Sequence, residues 1–259
     1  MGERLRRGLR RHGFSGLLKL VPKNAWFVLS YLAPHRRRLR RSINEFDQRF
    51  GVDTGGFEWL SNFDAPSDFT THANNYGPIH KIDPYLKSLH ICFPEYTFID
   101  YGCGKGRALL LASDFPFKEI IGVEYVEELV AITRRNLEIY HNCAQKCHAI
   151  GVVKSDARSF KPPAAPSVFF FYNPFDAIVL ERVLSLIRGV HSGKEFVNYI
   201  VYCDPEHRLV IEGDEGWEIL AEHETWVLYR SCFGAGRDGH RRRSNREPLT
   251  QALFALMGG

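Results

Sequence analysis

From residue 97 to residue 203 short apolar runs alternate with helical stretches, and the first run ends in a turn that carries three glycines. The runs at 97–100, 119–123, 149–153, 167–172 and 196–202 read as strands. The stretches at 107–113 and 177–187, and one marked by Val126, Leu129, Val130, Thr133, Leu137 and Tyr140, read as helices with one apolar face. A sequence of strands separated by helices folds as a parallel sheet covered on both faces. Residues 218–222 and 225–229 read as a closing strand pair. In a sheet of this kind ligands bind beyond the carboxyl ends of the strands, where the strand order reverses. The glycine turn after the first strand is therefore the candidate site.

That turn excludes two common chemistries by spacing. A phosphate loop needs Gly, four residues, then Gly-Lys-Ser/Thr, and Lys105 does not stand in that position. A dinucleotide fingerprint needs a third glycine where Arg107 stands. What is left is an acid at the strand end (Asp100), glycines at 102, 104 and 106, and a second acid, Glu124, at the end of the next strand.

On these residues the chain resembles the class I S-adenosylmethionine-dependent methyltransferases. Four motifs carry the likeness: FIDYGCGKGR at 98–107, IGVE at 121–124, KSD at 154–156 and YNPF at 172–175. It extends over roughly residues 75–230 and looks nearest to a bacterial subgroup with G-V-D-T, G-K-G-R and N-P-F-D segments. It is more distantly similar to non-SET protein lysine methyltransferases. The resemblance implies a doubly wound, Rossmann-like α/β sheet of seven strands, the last antiparallel, with an N-terminal helical extension. It also implies S-adenosyl-L-methionine as cofactor. The residues that would bind it are Asp100, Gly102, Cys103, Gly104, Gly106, Glu124, Tyr125, Asp156, Ala157 and Asn173. Glu124 would accept both ribose hydroxyls, a bidentate task suited to a carboxylate. Asp100 would orient the loop or meet the cofactor's ammonium group, and Asp156 would accept from the adenine amino group.

The acceptor side falls, by the same resemblance, to Asn173, Pro174 and Phe175 as catalytic residues, with Tyr76 and Tyr172 as pocket walls. In amino-group methylases the pattern is Asn/Asp-Pro-Pro-aromatic. Here the second proline is absent and Phe175 comes one residue early. The acceptor expected is a nitrogen on a protein or nucleic acid, with a small molecule as the alternative. A module that keeps the fold without the chemistry would be expected to have a broken cofactor motif, and this motif is intact. Residues 204–207, Asp-Pro-Glu-His, either line the acceptor pocket or begin a helix.

Other constellations carry less. His141, Cys143, Cys147 and His148 offer four zinc-type ligands in eight residues, but no second knuckle accompanies them, so no metal is expected. Cys103 reads as a small residue in a tight loop rather than a nucleophile. No G-x-S-x-G elbow supports a hydrolase. The six cysteines are irregularly spaced, which fits a reducing compartment better than a disulfide framework.

The net charge of +4 conceals a division of the chain. Residues 1–41 hold twelve Lys/Arg and one acid, and residues 233–259 hold five Arg and two acids. Residues 42–232 hold 17 basic and 27 acidic residues, an acidic body between basic ends. The apolar stretch 14–33 is broken by Lys19, Pro22, Lys23 and Asn24, so it falls short of the about 20 apolar residues a span needs. The arm therefore reads as a solvated extension or as a contact for an anionic surface, lipid or nucleic acid. The expected location is cytoplasmic, with peripheral membrane association through the arm. The organisation expected is an arm (1–41), a helical cap (42–74), the methyltransferase-like domain (75–232) and a flexible basic tail (233–259). Within the cap, Ser42 and Glu45 form a capping-box pattern, and Ile43, Phe46 and Phe50 recur at helical spacing until Gly51.

Overall fold

The computed structural model describes residues 34–55 and 81–232, with side chains from residue 41 onward. Fourteen elements follow in chain order. Helix α1 is Pro34–Phe50, helix α2 is Asp83–Lys87, and a single 3-10 turn occupies Phe93–Glu95. Then come β1 (Thr97–Tyr101), α3 (Arg107–Ala112), β2 (Glu119–Glu124), α4 (Glu127–Ile139), β3 (Ile150–Lys154) and β4 (Ser167–Tyr172). The remainder are α5 (Ala177–His191), β5 (Tyr199–Cys203), α6 (Arg208–Glu212), β6 (Trp217–His223) and β7 (Trp226–Ser231).

The seven strands form one sheet in the order β3-β2-β1-β4-β5-β7-β6. Strands β1 to β5 pair in parallel, while β7 runs antiparallel to both β5 and β6. This is the doubly wound, seven-stranded Rossmann-like sheet, with its last strand antiparallel, that the resemblance implies. The chain winds outward from β1 to β3, then crosses back to lay β4 on the other side of β1. The strand order therefore reverses between β1 and β4, and the crevice at their carboxyl ends is where the motif residues gather.

Alternation along each strand explains the two-sided core. Phe98, Val168, Phe170 and Val201 face one layer, where Leu109 and Ala112 of α3 and Leu86 of α2 cover them. Ile99, Tyr101, Phe169, Phe171, Ile200 and Tyr202 face the other, under Leu180, Val183, Leu184 and Ile187 of α5. All of these are buried. The apolar run of β4 is thus the centre of the sheet, buried on both faces.

Several expected bounds change, and the helix expected at 177–187 runs on to His191. The helix expected at 42–50 already runs from Pro34, so Ser42 lies inside it rather than capping it. The arginines at 36–41 belong to that same helix, which crosses the boundary expected at 41/42. The strand expected at 196–202 begins three residues later, at Tyr199, because Asn198 turns inward instead. Its carbonyl accepts from the Ser231 N–H, its N–H donates to Ser231 Oγ, and its side-chain oxygen accepts from the Ser167 N–H. The close of α1 is as expected. Gly51 sits at φ 69°, and the Val52 N–H returns to the Asp47 carbonyl at 3.1 Å, the 6→1 bond of a Schellman ending. The rest of the arm, most of the cap, the tail and Tyr76 lie outside the described residues. No helix among the described residues is long and apolar enough to cross a membrane.

Candidate functional site

The β1–α3 turn is built on glycine backbone. Gly102, Gly104 and Gly106 all take left-handed φ values, 75°, 55° and 83°. The need is clearest at Gly102, where a Cβ would come within 2.8 Å of the Pro174 Cβ. The turn after β1 and the turn after β4 are therefore in direct contact, and only glycine lets them approach so closely. The loop is also tied to β2, because the N–H groups of Gly102 and Cys103 both donate to the Val123 carbonyl, at 2.8 and 3.1 Å.

Glu124 ends β2 beneath this loop. Its Oε2 accepts from the Gly104 N–H at 3.0 Å, and its Oε1 accepts from the N–H groups of Tyr125 and Val126, both at 2.9 Å. Burial pushes its carboxyl above the usual range, and these backbone donors oppose the shift. A carboxylate offers about four acceptor positions, so three of the four are engaged by the chain. Asp100, at the end of β1, is 3% exposed, and among the described residues nothing donates a hydrogen bond to it. Burial first, and the Glu124 carboxyl second, raise its carboxyl well above the ordinary range. Two buried acids thus stand together at the switch point. Burying a carboxylate is costly unless it is neutralised or paired, so the pair is suited to a ligand that brings donors and positive charge. An S-adenosylmethionine molecule brings both: an ammonium, a sulfonium and a ribose diol. The residues present fit that group. Cys103, between the acids, is buried with its thiol pushed up by burial and then by Asp100 and Glu124, so it stays protonated and is no nucleophile.

Asp156, expected to meet an adenine amino group, is engaged locally. Its Oδ1 accepts from the Arg158 N–H at 2.8 Å, and the Arg158 guanidinium grips both carboxylate oxygens at 2.7 to 3.1 Å. Partial burial would raise its carboxyl, but Arg158 outweighs this and holds it low. Ala157 beside it is buried and packs into the core layer under α5. The turn after β3 thus reaches the same end of the sheet as the glycine loop.

At the end of β4, Asn173 is forced into the left-handed region at φ 40°. Its side-chain oxygen accepts from the Tyr202 hydroxyl at 3.2 Å and its Nδ2 donates to Glu206 at 3.1 Å. Asp204, one residue past β5, is left-handed as well, at φ 46°. Since Tyr172 pairs with Cys203 in register, these two strained residues sit side by side on adjacent strand ends. Burial and then the Asp204 charge raise the Tyr172 phenol. Tyr85 of α2 is raised by burial and then by Cys203 and Asp204, and its ring meets Trp226 edge-on at 5.3 Å. Phe175 turns away from this group and packs near Tyr101 and Phe171, at 6.4 and 6.3 Å between rings.

The structure therefore brings Asp100, the glycines, Cys103, Glu124, Tyr125, Tyr172, Asn173 and Pro174 to one end of the sheet. Tyr85 and Tyr202 join them unforeseen, and Glu206 joins them from the 204–207 segment. Only the Asp-Pro-Glu-His segment gave any sequence signal for this second set. At the His141–His148 segment, Cys143 is exposed, whereas Cys147 is buried with its sulfur 3.7 Å from the Ala149 carbonyl oxygen. Among the described residues no group of three or more His, Cys, Asp or Glu could hold a metal ion.

No protein-family model and no curated protein matches this chain. Solved structures do. The glycopeptide N-methyltransferase MtfA, solved with S-adenosyl-L-methionine, is 11% identical over 57% of this chain and 92% of its own, with a TM-score of 0.44. A ribosomal protein L11 methylase from Lactobacillus delbrueckii subsp. bulgaricus is 12% identical over 59% of this chain and 77% of its own, with a TM-score of 0.41. The PH0226 protein from Pyrococcus horikoshii OT3 is 15% identical over 72% of this chain and 97% of its own, with a TM-score of 0.45.

Proposed function

We propose that this chain is an S-adenosyl-L-methionine-dependent methyltransferase whose acceptor is a nitrogen on a protein or nucleic acid. One observation carries the cofactor reading. Asp100 and Glu124, two buried carboxyls, stand together under a glycine loop at the point where the strand order reverses. A cationic ligand with a diol suits that pair better than an anionic phosphate would. The bound cofactor supplies an electrophilic methyl group. The chain's own contribution is to bind, align and exclude water. Gly102 and Gly104 let the backbone run beside the ligand, and Asp100 answers its positive charge. Glu124 holds the loop through Gly104 and keeps one acceptor position for a ribose hydroxyl.

The acceptor reading rests on Asn173. Its amide oxygen takes one hydrogen bond from Tyr202 and keeps a second lone pair. That lone pair can accept from an N–H of the acceptor and so point the nitrogen's own lone pair toward the methyl group. The acceptor's displaced proton leaves toward the carboxylates at this strand end, Asp204 and Glu206. The basic arm at 1–41 would bring the acidic body to a phosphate-rich surface, nucleic acid or membrane.

The test uses methyl-labelled cofactor, the full chain and cell extract as acceptor pool. Label should enter a large acceptor, disappear on protease or nuclease treatment, and be lost with Asn173→Ala by more than any accompanying loss of cofactor binding explains. Label confined to small molecules would move the acceptor to that class. Undiminished transfer by Asn173→Ala would remove Asn173 from the reaction.

A further inference from the structure

The glycine loop carries two cations, Lys105 and Arg107, each 5% exposed. Both direct donors to residues 47–55, ahead of the sheet. Lys105 Nζ donates to Asp53 Oδ1 and to the Gly55 carbonyl, both at 2.9 Å. Arg107 donates to Thr54 Oγ1 at 2.8 Å and lies 3.4 Å from Asp47 Oδ1, with its guanidinium over the Phe46 ring at 4.2 Å. Asp47 also gathers the segment itself, accepting from the Thr54 hydroxyl at 2.5 Å, the Thr54 N–H at 3.0 Å and the Gly55 N–H at 2.8 Å.

Asn136 of α4 joins the two sides. Its Oδ1 accepts from the Asp53 N–H at 2.9 Å, and its Nδ2 donates to the Asp53 carbonyl at 2.7 Å and to the Lys105 carbonyl at 2.9 Å. It is 2% exposed, so each bond it makes replaces one that water would have supplied. One turn earlier on α4, Thr133 donates to the Gly104 carbonyl at 2.6 Å. The same Gly104 donates its N–H to Glu124. A path therefore runs from Asp53 by hydrogen bonds through Asn136 to the Lys105 carbonyl, and on along the backbone to Gly104, whose N–H donates to Glu124.

A cation at the first turn of a helix opposes the helix dipole, and burial adds to the cost. Burial indeed lowers the Arg107 group, while Asp47 supports its charge. Neither Lys105 nor Arg107 is required by the geometry of a glycine turn. Their placement makes sense if segment 52–55 must be docked for the loop to hold its ligand-ready shape.

We propose that Asp53, Thr54, Lys105 and Arg107 are positioning residues, and that docking of segment 52–55 onto the glycine loop sets the affinity for the cofactor. This rests on the S-adenosylmethionine reading above. The experiment is calorimetric titration of the full chain with S-adenosyl-L-methionine, for the wild type, Asp53→Ala, Lys105→Met, the double variant, Asp53→Glu and Thr54→Val, with thermal unfolding of each alongside. Asp53 is 65% exposed in its side chain, so Asp53→Ala and Asp53→Glu carry the test if Lys105→Met or Thr54→Val does not fold. Expected is a loss of affinity by about threefold to thirtyfold in Asp53→Ala and Thr54→Val, the range for coupling through contiguous contacts. The double variant should be no weaker than the worse single, and Asp53→Glu should recover part of the loss. If the wild type binds and the folded variants bind equally well, whatever their unfolding temperatures, docking is structural only and the proposal falls while the cofactor reading stands. If the wild type itself does not bind, the cofactor reading falls and takes this proposal with it.

Discussion

Glu124 closes the glycine loop through Gly104, and in the proposed function it also presents a carboxylate to the cofactor. Glu124→Ala should therefore weaken cofactor binding by about tenfold or more, the loss of charge-assisted hydrogen bonds worth about 1.5–3 kcal/mol; titration of the folded variant reads it. Gly102 has no such substitute. An alanine there would hold a strained left-handed φ and drive its Cβ against Pro174. Gly102→Ala should lose about 1–3 kcal/mol for the backbone alone, visible in chemical denaturation, and should impair cofactor and acceptor turns together. Tyr101 is the opposite case. Its hydroxyl is buried with no partner among the described residues, ringed by Phe160, Phe171 and Phe175. Tyr101→Phe should leave stability unchanged or raise it by about 1 kcal/mol, with cofactor affinity intact; a fall in affinity would show that the hydroxyl serves the ligand.

Helix α5 starts where the turn after β4 ends, so its cap helps to hold that turn. Asp176 accepts from the Val179 N–H at 2.9 Å. Asp176→Ala should cost about 0.5–2 kcal/mol in denaturant unfolding, and Asp176→Asn much less. The strands and helices of the sheet were legible because each has one period and one burial pattern. The run 167–172 reads directly as the two-faced central strand it is. The acids at strand ends were legible too, since a charge closing an apolar run must face a ligand, a cap or solvent. Other features were not. Gly122 in β2 looks like an ordinary strand glycine, yet a Cβ there would meet Cys103 Sγ at 2.6 Å and Leu109 at 2.7 Å. Its smallness makes room for the glycine loop, a fact that exists only after β2 and the loop pack. The docking of 52–55 was equally hidden, because Asp53 and Lys105 are 52 positions apart and no period links them. Asp156 shows the reverse limit: the sequence gives a free acid, and the fold gives it Arg158 two residues on.

Across the whole molecule, charge and protonation tie these parts together. The folded chain raises the carboxyls of Asp100 and Glu124 above their unfolded values. The folded state then holds protons that the unfolded state releases, so the ligand-free protein loses stability as pH rises from the ordinary carboxyl range through the raised values. A cationic ligand works in the other direction, favouring the ionised acids. Its binding should release protons, and affinity should rise as pH climbs from the ordinary carboxyl range through the raised values. Salt should act mainly elsewhere, on any surface contact of the basic arm, since exposed charges are screened and the buried pair is not. The most direct measurement is calorimetric titration of the full chain with S-adenosyl-L-methionine at a series of pH values rising from the ordinary carboxyl range, each in two buffers of different protonation enthalpy. The expected result is one-to-one binding, with a heat that differs between buffers in the sense of proton release. A folded protein that binds neither this ligand nor its demethylated product would contradict the central claim, and binding without proton release would remove the acid pair from its basis.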